Sequence, residues 1–287
     1  MKKMVLVVVI LFASCIVYGQ TSKSAVAIQL DSLKAELNMA RNDSLRAALL
    51  SQLTMNYARI NPDSALHYGE KAIELAKKID NRKIAILVLG FIGDAYHSKG
   101  NLPKGLEVCL EAISLAEEPP GSLENSVGPA YSTLGDIYTD LGNYRQALYF
   151  YNKVFEHPTG VQDELGFAFR HFGRASVYEK MNMPDSALHE LELSKKYFYE
   201  SPVDGAGRFP KIYPVNPNWF NLRSRVYVKQ GKFDLALQDL RNTLDMTLKN
   251  DEPYYSSNSY NDMASLYASL DARDSAIYFA KKGTARG

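Results

Sequence analysis

The chain has 287 residues, 46% of them hydrophobic, enough to bury a sizeable core and too many for a disordered segment. Its 33 Lys and Arg face 32 Asp and Glu, a formal charge of +1, so a broad basic footprint for nucleic acid is excluded. Beyond the N-terminus no stretch reaches the roughly 18 apolar residues of a membrane-spanning helix; "IAILVLGFIG" at 84–93 falls well short.

In chain order, residues 1–19 read as an export signal. Lys2 and Lys3 precede the apolar run "MVLVVVILFASCIV", and Val17 and Gly19 suit a peptidase cutting before Gln20. A rival reading takes "FASC" as a lipoprotein box that would leave Cys15 lipidated, with Phe12 where Leu is usual. Both place the protein outside the cytoplasm, periplasmic or envelope-associated. Cleavage before Gln20 would leave Cys109 as the lone cysteine, with no intrachain disulfide to form; on the apolar face of "EVCLEAISLA" it reads as core. Residues 20–43 read as a capping helix and linker, because Ile28 or Leu30, Leu33, Leu37 and Ala40 recur at helical spacing.

From residue 44 the chain repeats itself. Tyr57, Tyr96, Tyr138, Tyr178, Tyr227 and Tyr267 each precede a small residue, Ala65, Gly105, Ala147, Ala187, Ala236 or Ala276, at one interval that is a residue shorter in the first case. Another small residue stands three positions before each tyrosine: Thr54, Gly93, Gly135, Ala175, Ser224 and Ala264. A third slot holds Ala72, Ala112, Val154, Ser194, Thr243 and Gly283. Two antiparallel helices joined by a tight turn approach closely only where side chains are small, and a tyrosine fills the wedge beside the crossing. The peptide "PDSAL" recurs at 62–66 and 184–188 on this account: Pro62 and Pro184 suit a first helical turn, Asp63 and Asp185 its positive end, and Ala65 and Ala187 the crossing. Asn61, Asn101 and Asn143 fit as N-caps. The units run at about 44–80, 82–118, 126–158, 162–200, 217–250 and 254–287. Surplus residues fall between hairpins, where "SLAEEPPGSLEN" and "ESPVDGAGRFPKIYPVN" read as rim loops. The second is either a connector or a lid that would bring Arg208, Lys211 and Tyr213 to a ligand.

The unit "LGDIYTDLGNYRQALYFYNKV" resembles the tetratricopeptide repeat family through Leu134, Gly135, Tyr138, Gly142, Tyr144, Ala147 and Tyr151. Later units depart from that pattern: Arg174 and Arg223 stand where Leu is usual, and Asn182 and Asp271 replace the turn glycine. The arginine stems are expected to pack along a neighbour with the charge at the surface. The resemblance covers residues 44 to 287 and implies an all-α, right-handed superhelical solenoid of about six hairpins behind an N-terminal capping helix. It also implies an inner wall built from the first helix of each unit. Its inward positions would be Asp94 and His97; Ser132, Asp136 and Asp140; Phe169, Phe172 and Glu179; Asn218, Asn221 and Arg225; and Asn258 and Asn261.

Such a wall, acidic at one end and amide-rich at the other, suits an extended peptide with its basic end toward the acidic units. The paired Lys and Asn of the family's carboxylate-clamp members are missing from the early units, so capture of an acidic C-terminal tail is not implied. Catalytic chemistry has little to stand on. His67, His97, His157, His171 and His189 are scattered, no His-Glu-x-x-His or Cys-x-x-Cys spacing occurs, and no Gly-x-Ser-x-Gly elbow or phosphate loop appears. The expectation is a non-enzymatic scaffold for a protein or peptide, with no cofactor and no metal. Two other functions fit the resemblance: an input module of an envelope signalling system, or a surface lipoprotein assisting glycan handling. The last hairpin carries no evident cap, so its apolar face would be paired by another chain, as in self-association, tolerated, or continued in a longer relative.

Overall fold

Asparagines start most of the early helices. Asn42, Asn61 and Asn81 each accept a hydrogen bond from the backbone N–H three residues on, at 2.7, 3.0 and 3.1 Å. Asn101 and Asn143 do the same at 3.3 Å. Each satisfies one of the donors a helix start leaves open. The computed structural model describes residues 25–117, 126–156, 163–200 and 217–285, and these form thirteen helices with no strand among the described residues. The export segment with Cys15, and Arg208, Lys211 and Tyr213, lie outside the described residues.

Helix α1 (Ala25–Met39) packs on the first of six hairpins. The hairpins are α2 (Asp43–Tyr57) with α3 (Pro62–Lys78), α4 (Arg82–Ser98) with α5 (Leu102–Glu117), and α6 (Gly128–Asp140) with α7 (Tyr144–Glu156). They continue as α8 (Asp163–Lys180) with α9 (Pro184–Glu200), α10 (Pro217–Lys229) with α11 (Phe233–Lys249), and α12 (Pro253–Ser269) with α13 (Arg273–Thr284). The first helices of successive hairpins, α2, α4, α6, α8, α10 and α12, also pack on one another, so they form the inner layer of a solenoid.

The repeated tyrosine closes each turn through its backbone. The carbonyls of Tyr96, Tyr138, Tyr178, Tyr227 and Tyr267 each accept a hydrogen bond from the N–H five residues later, at 2.9 Å. That geometry needs a left-handed residue, supplied by Gly100, Gly142, Asn182, Gly231 and Asp271 with φ of 74°, 72°, 57°, 71° and 55°. In the first hairpin Tyr57 accepts from Asn61, only four residues on, with no left-handed residue between them. The shorter interval in the first unit is this tighter turn.

At the crossings Ala65, Ala147, Ala187 and Ala236 are fully buried. Beside them the tyrosines stack on a ring from the second helix: Tyr57 on Tyr68 at 5.6 Å, Tyr138 on Phe150 at 5.4 Å and Tyr267 on Phe279 at 5.3 Å. The fourth and fifth hairpins fill that slot with Glu190 and Asp239, and the Leu slot facing it with Arg174 and Arg223. Here the expectation of surface charge is corrected. Arg223 makes two bonds to Asp239, at 2.8 and 2.7 Å, and Arg174 reaches Glu190 at 3.0 and 2.8 Å. Both guanidinium groups lie over the repeated tyrosine, Arg174 at 6.0 Å from the Tyr178 ring and Arg223 at 5.6 Å from that of Tyr227. Cys109 is buried against Gly93, and burial pushes its thiol well up, so it is an inert part of the core.

Two measurements test this packing. A β-carbon on Gly173 would stand 2.3 Å from the Tyr151 ring, so Gly173→Ala, like Ala187→Leu, is expected to lower stability by about 1–3 kcal/mol in urea unfolding. For the fifth hairpin, Arg223→Leu or Asp239→Phe alone strands a nearly buried charge and should cost about 3–5 kcal/mol, while the double variant restores most of it. Additive losses would show that the ion pair does not substitute for the apolar seam.

Candidate functional site

The turn between α2 and α3 aims Arg59 into the inner layer. Its guanidinium bonds Asp94 of α4 at 3.0 and 3.2 Å and Asp136 of α6 at 2.7 Å, tying three consecutive hairpins together. Asp136 also accepts a bond of 2.6 Å from the Tyr151 hydroxyl. Tyr151 belongs to α7, on the outer layer, and reaches inward because its ring passes between Gly135 and Gly173, where added β-carbons would stand 2.6 and 2.3 Å from it. Burial and the nearby Asp136 charge hold its hydroxyl protonated, so it stays a donor.

The same device continues down the wall. His97 of α4 meets Asp140 of α6 at 2.8 Å. Glu179 of α8 meets Lys229 of α10 at 2.9 Å, and Arg225 of α10 meets Asp262 of α12 at 2.9 Å. Every acid among these is answered by a base from another hairpin, so the wall is a ladder of inter-repeat ion pairs and not the open acidic surface the sequence suggested.

The predicted wall residues divide into three sets. Asp94, His97, Asp136, Asp140, Glu179 and Arg225 belong to the ladder, and Phe169, Asn218 and Asn258 occupy one equivalent position near the start of α8, α10 and α12, with Phe169 46% exposed. Ser132, Phe172, Asn221 and Asn261 share a different slot, and the sequence assignment needs correction there at Phe172 and Asn221. Asn221 is 1% exposed, its Oδ1 accepting from Ser259 Oγ at 3.0 Å in the seam between α10 and α12. Phe172 packs against the cluster of Ala175, Ala187, Leu191 and Trp219. Asn261 lies against Gly283 of α13, and Ser132 is half-buried. At Phe172 and Asn221 the slot faces a neighbouring helix because the first helices lean on one another, while Asn261 on α12 is exposed. Sequence reasoning missed Arg59, Lys229 and Asp262, since nothing in a repeat pattern says which turn residue points inward.

Asp94, His97 and Asp136 place one ligand atom each within 4.8 Å of one another, a set of donors suited to a cation. Arg59 bridges both aspartates and already supplies the positive charge, so a metal ion would have to displace it.

Burial alone would push the His97 pKa down. The bond to Asp140 and the charges of Asp136, Asp94 and Asp140 outweigh it and hold the ring above the ordinary 6.5. Asp140, bonded to His97 and near Lys180, is held below 3.8. The histidine's share of stability is complete below pH 6.5 and is lost as pH rises through its raised folded value; that of Asp140 is lost as pH falls through its lowered one. Asp140→Asn should therefore lower the His97 pKa in an NMR titration. The melting-temperature gap to the parent should be widest near about pH 5.5 and close by about pH 8.

Comparison with known proteins agrees with this architecture. The family model described as tetratricopeptide repeat matches residues 84–157. A protein of Arabidopsis thaliana, kinesin light chain-related 2, is 26% identical over 116 residues, which span 39% of this chain and 17% of that protein. Among solved structures, a Rap protein complexed with competence and sporulation factor superposes with a TM-score of 0.66 at 16% identity, covering 90% of this chain and 69% of that one. A tetratricopeptide repeat protein from Parabacteroides merdae gives 0.50 at 19% identity, covering 90% and 85%. Identities this low establish the shared fold. Residues 84–157 thus match the tetratricopeptide repeat, and the described residues repeat the same hairpin on either side of them.

Proposed function

We propose that the chain is a non-enzymatic scaffold whose inner wall holds an extended segment of a protein or peptide. The observation that carries this is the ladder itself. Arg59, Asp94, Asp136, His97 and Asp140 on the early hairpins, and Glu179, Lys229, Arg225 and Asp262 on the later ones, fix the inner helices relative to one another through charge-assisted bonds. A wall held in this way loses little freedom on binding, which favours a flexible ligand that must itself be ordered. Phe169, Asn218 and Asn258, in line on three consecutive hairpins, supply the pattern of contacts: a ring for an apolar side chain, then amides able to bond a peptide backbone. The Rap protein that resembles this chain in fold was solved with a factor bound, which supports a binding role for the architecture.

Because the acids of the wall are already paired, the ligand recognised here is one that bonds through its backbone and through apolar side chains. A highly basic peptide would have to break the Arg59 and His97 links. The export signal read in residues 1–19 places this activity outside the cytoplasm. Self-association through α13 belongs to the same reading, since Ile277 and Tyr278 are 54% and 55% exposed on the last helix.

The test is photo-crosslinking in intact cells with benzoylphenylalanine at Phe169, at Asn258 and, as a control outside the inner layer, at Tyr149 of α7. Adducts are expected at the first two positions alone, and the double variant Asp136→Lys with Asp140→Lys should abolish them by breaking the links between early hairpins. Equal crosslinking at Tyr149, or partner capture unchanged in the double variant, would remove the wall from consideration.

A further inference from the structure

At the N-terminal end of the solenoid, away from the inner wall, α1 stands off from the first hairpin and leaves a cleft of about 1050 Å³. The half-buried Leu37, Leu75 and Tyr68 give it an apolar strip over the buried Leu50, and its otherwise polar lining carries Lys34, Arg41, Arg46, Lys71 and Lys78, with Asn38 and His67, against only Asp43 and Glu74. Two of the bases are committed: Lys78 pairs with Asp43 at 2.8 Å, and Lys34 lies 5.4 Å over the Tyr57 ring. Among the described residues Arg41, Arg46 and Lys71 have no hydrogen-bond or ion-pair partner, in a protein whose inner wall pairs its charges. An apolar strip beside unanswered cations matches an amphiphile with an anionic head.

The position of the cleft selects among such ligands. The apolar run of the N-terminal segment ends at Val17, and α1 begins at Ala25, so the intervening chain extends no more than about 30 Å. If Cys15 is lipidated, as the lipoprotein reading of "FASC" has it, the first helices of the solenoid are held near the lipid surface, and the cleft is carried on them. We infer that this cleft docks an anionic phospholipid of the bilayer surface, the phosphate meeting Arg41, Arg46 and Lys71 and the acyl stem lying on Leu37, Leu50 and Leu75. A basic patch beside a lipid anchor supplies a second, electrostatic signal for attachment.

The experiment compares sedimentation of the full chain with vesicles of pure phosphatidylcholine and with vesicles containing phosphatidylglycerol, at low salt. The apolar run contributes equally to both, so the ratio isolates the headgroup. The parent is expected to bind the anionic vesicles about tenfold more tightly, with the preference fading toward 1 M salt as screening shortens to about 3 Å. The variant Arg41→Gln/Arg46→Gln/Lys71→Gln, changed only at exposed positions and checked for unaltered helicity, should bring the ratio to about one. No headgroup preference in the parent, or a preference that survives in the variant, overturns the inference. So does equal affinity for monomeric dihexanoyl phosphatidylglycerol, which would make the cleft a site for a free amphiphile and not for a membrane surface.

Discussion

The distance of closest approach between paired helices governs this molecule. At Ala65, Ala147, Ala187 and Ala236 nothing larger than a methyl group stands between them, and at Gly93 and Gly105 not even that. Close approach brings the repeated tyrosine against the second helix. It also lets the tyrosine's carbonyl close the turn and sets the tilt at which the next hairpin must stack. A larger group at any of these points would be felt along the stack, because in a solenoid each unit touches only its neighbours and has no distant core to absorb the error.

On that frame the chain solves the same packing problem in two chemistries. Four hairpins close the seam beside the tyrosine with apolar pairs: Leu53 with Tyr68, Ile92 with Val108, Leu134 with Phe150, and Met263 with Phe279. The fourth and fifth close it with Arg174 and Glu190, and with Arg223 and Asp239. The guanidinium groups lie over the tyrosine rings at 6.0 and 5.6 Å, so a planar group still occupies the seam while its chemistry changes. Both members change together in each hairpin, as they must, since half of such a pair would leave a charge in a nearly dry seam.

The inner wall follows from the same geometry. When first helices lean on one another, their inward side chains come within bonding distance of the neighbouring unit, and opposite charges placed there become links between repeats. Tyr151 shows how far this reaches: glycine at 135 and 173 opens a passage through which an outer-layer phenol takes part in the inner network. The charges of this wall are mostly spent on links between its own hairpins.

Repetition made the hairpins legible from sequence. Small residue, tyrosine and small residue at one spacing can be satisfied only by paired helices, and the caps at Asn61, Asn101 and Asn143 follow from local chemistry that no distant contact alters. The left-handed turn residues were visible too, as glycine or as its substitutes Asn182 and Asp271. What the letters left open was direction and partnership. Asn221 and Asn258 are alike as residues on first helices, yet one is sealed in a seam and the other lies on the wall, because the lean between adjacent helices decides which slot faces a neighbour. Arg59 lies in a turn 35 residues before Asp94 and 77 before Asp136, and only the stacking of three hairpins makes them one group. Spacing along the chain determined each unit; the angle between units, which is a property of packed surfaces and not of any one segment, decided what those units present to a partner.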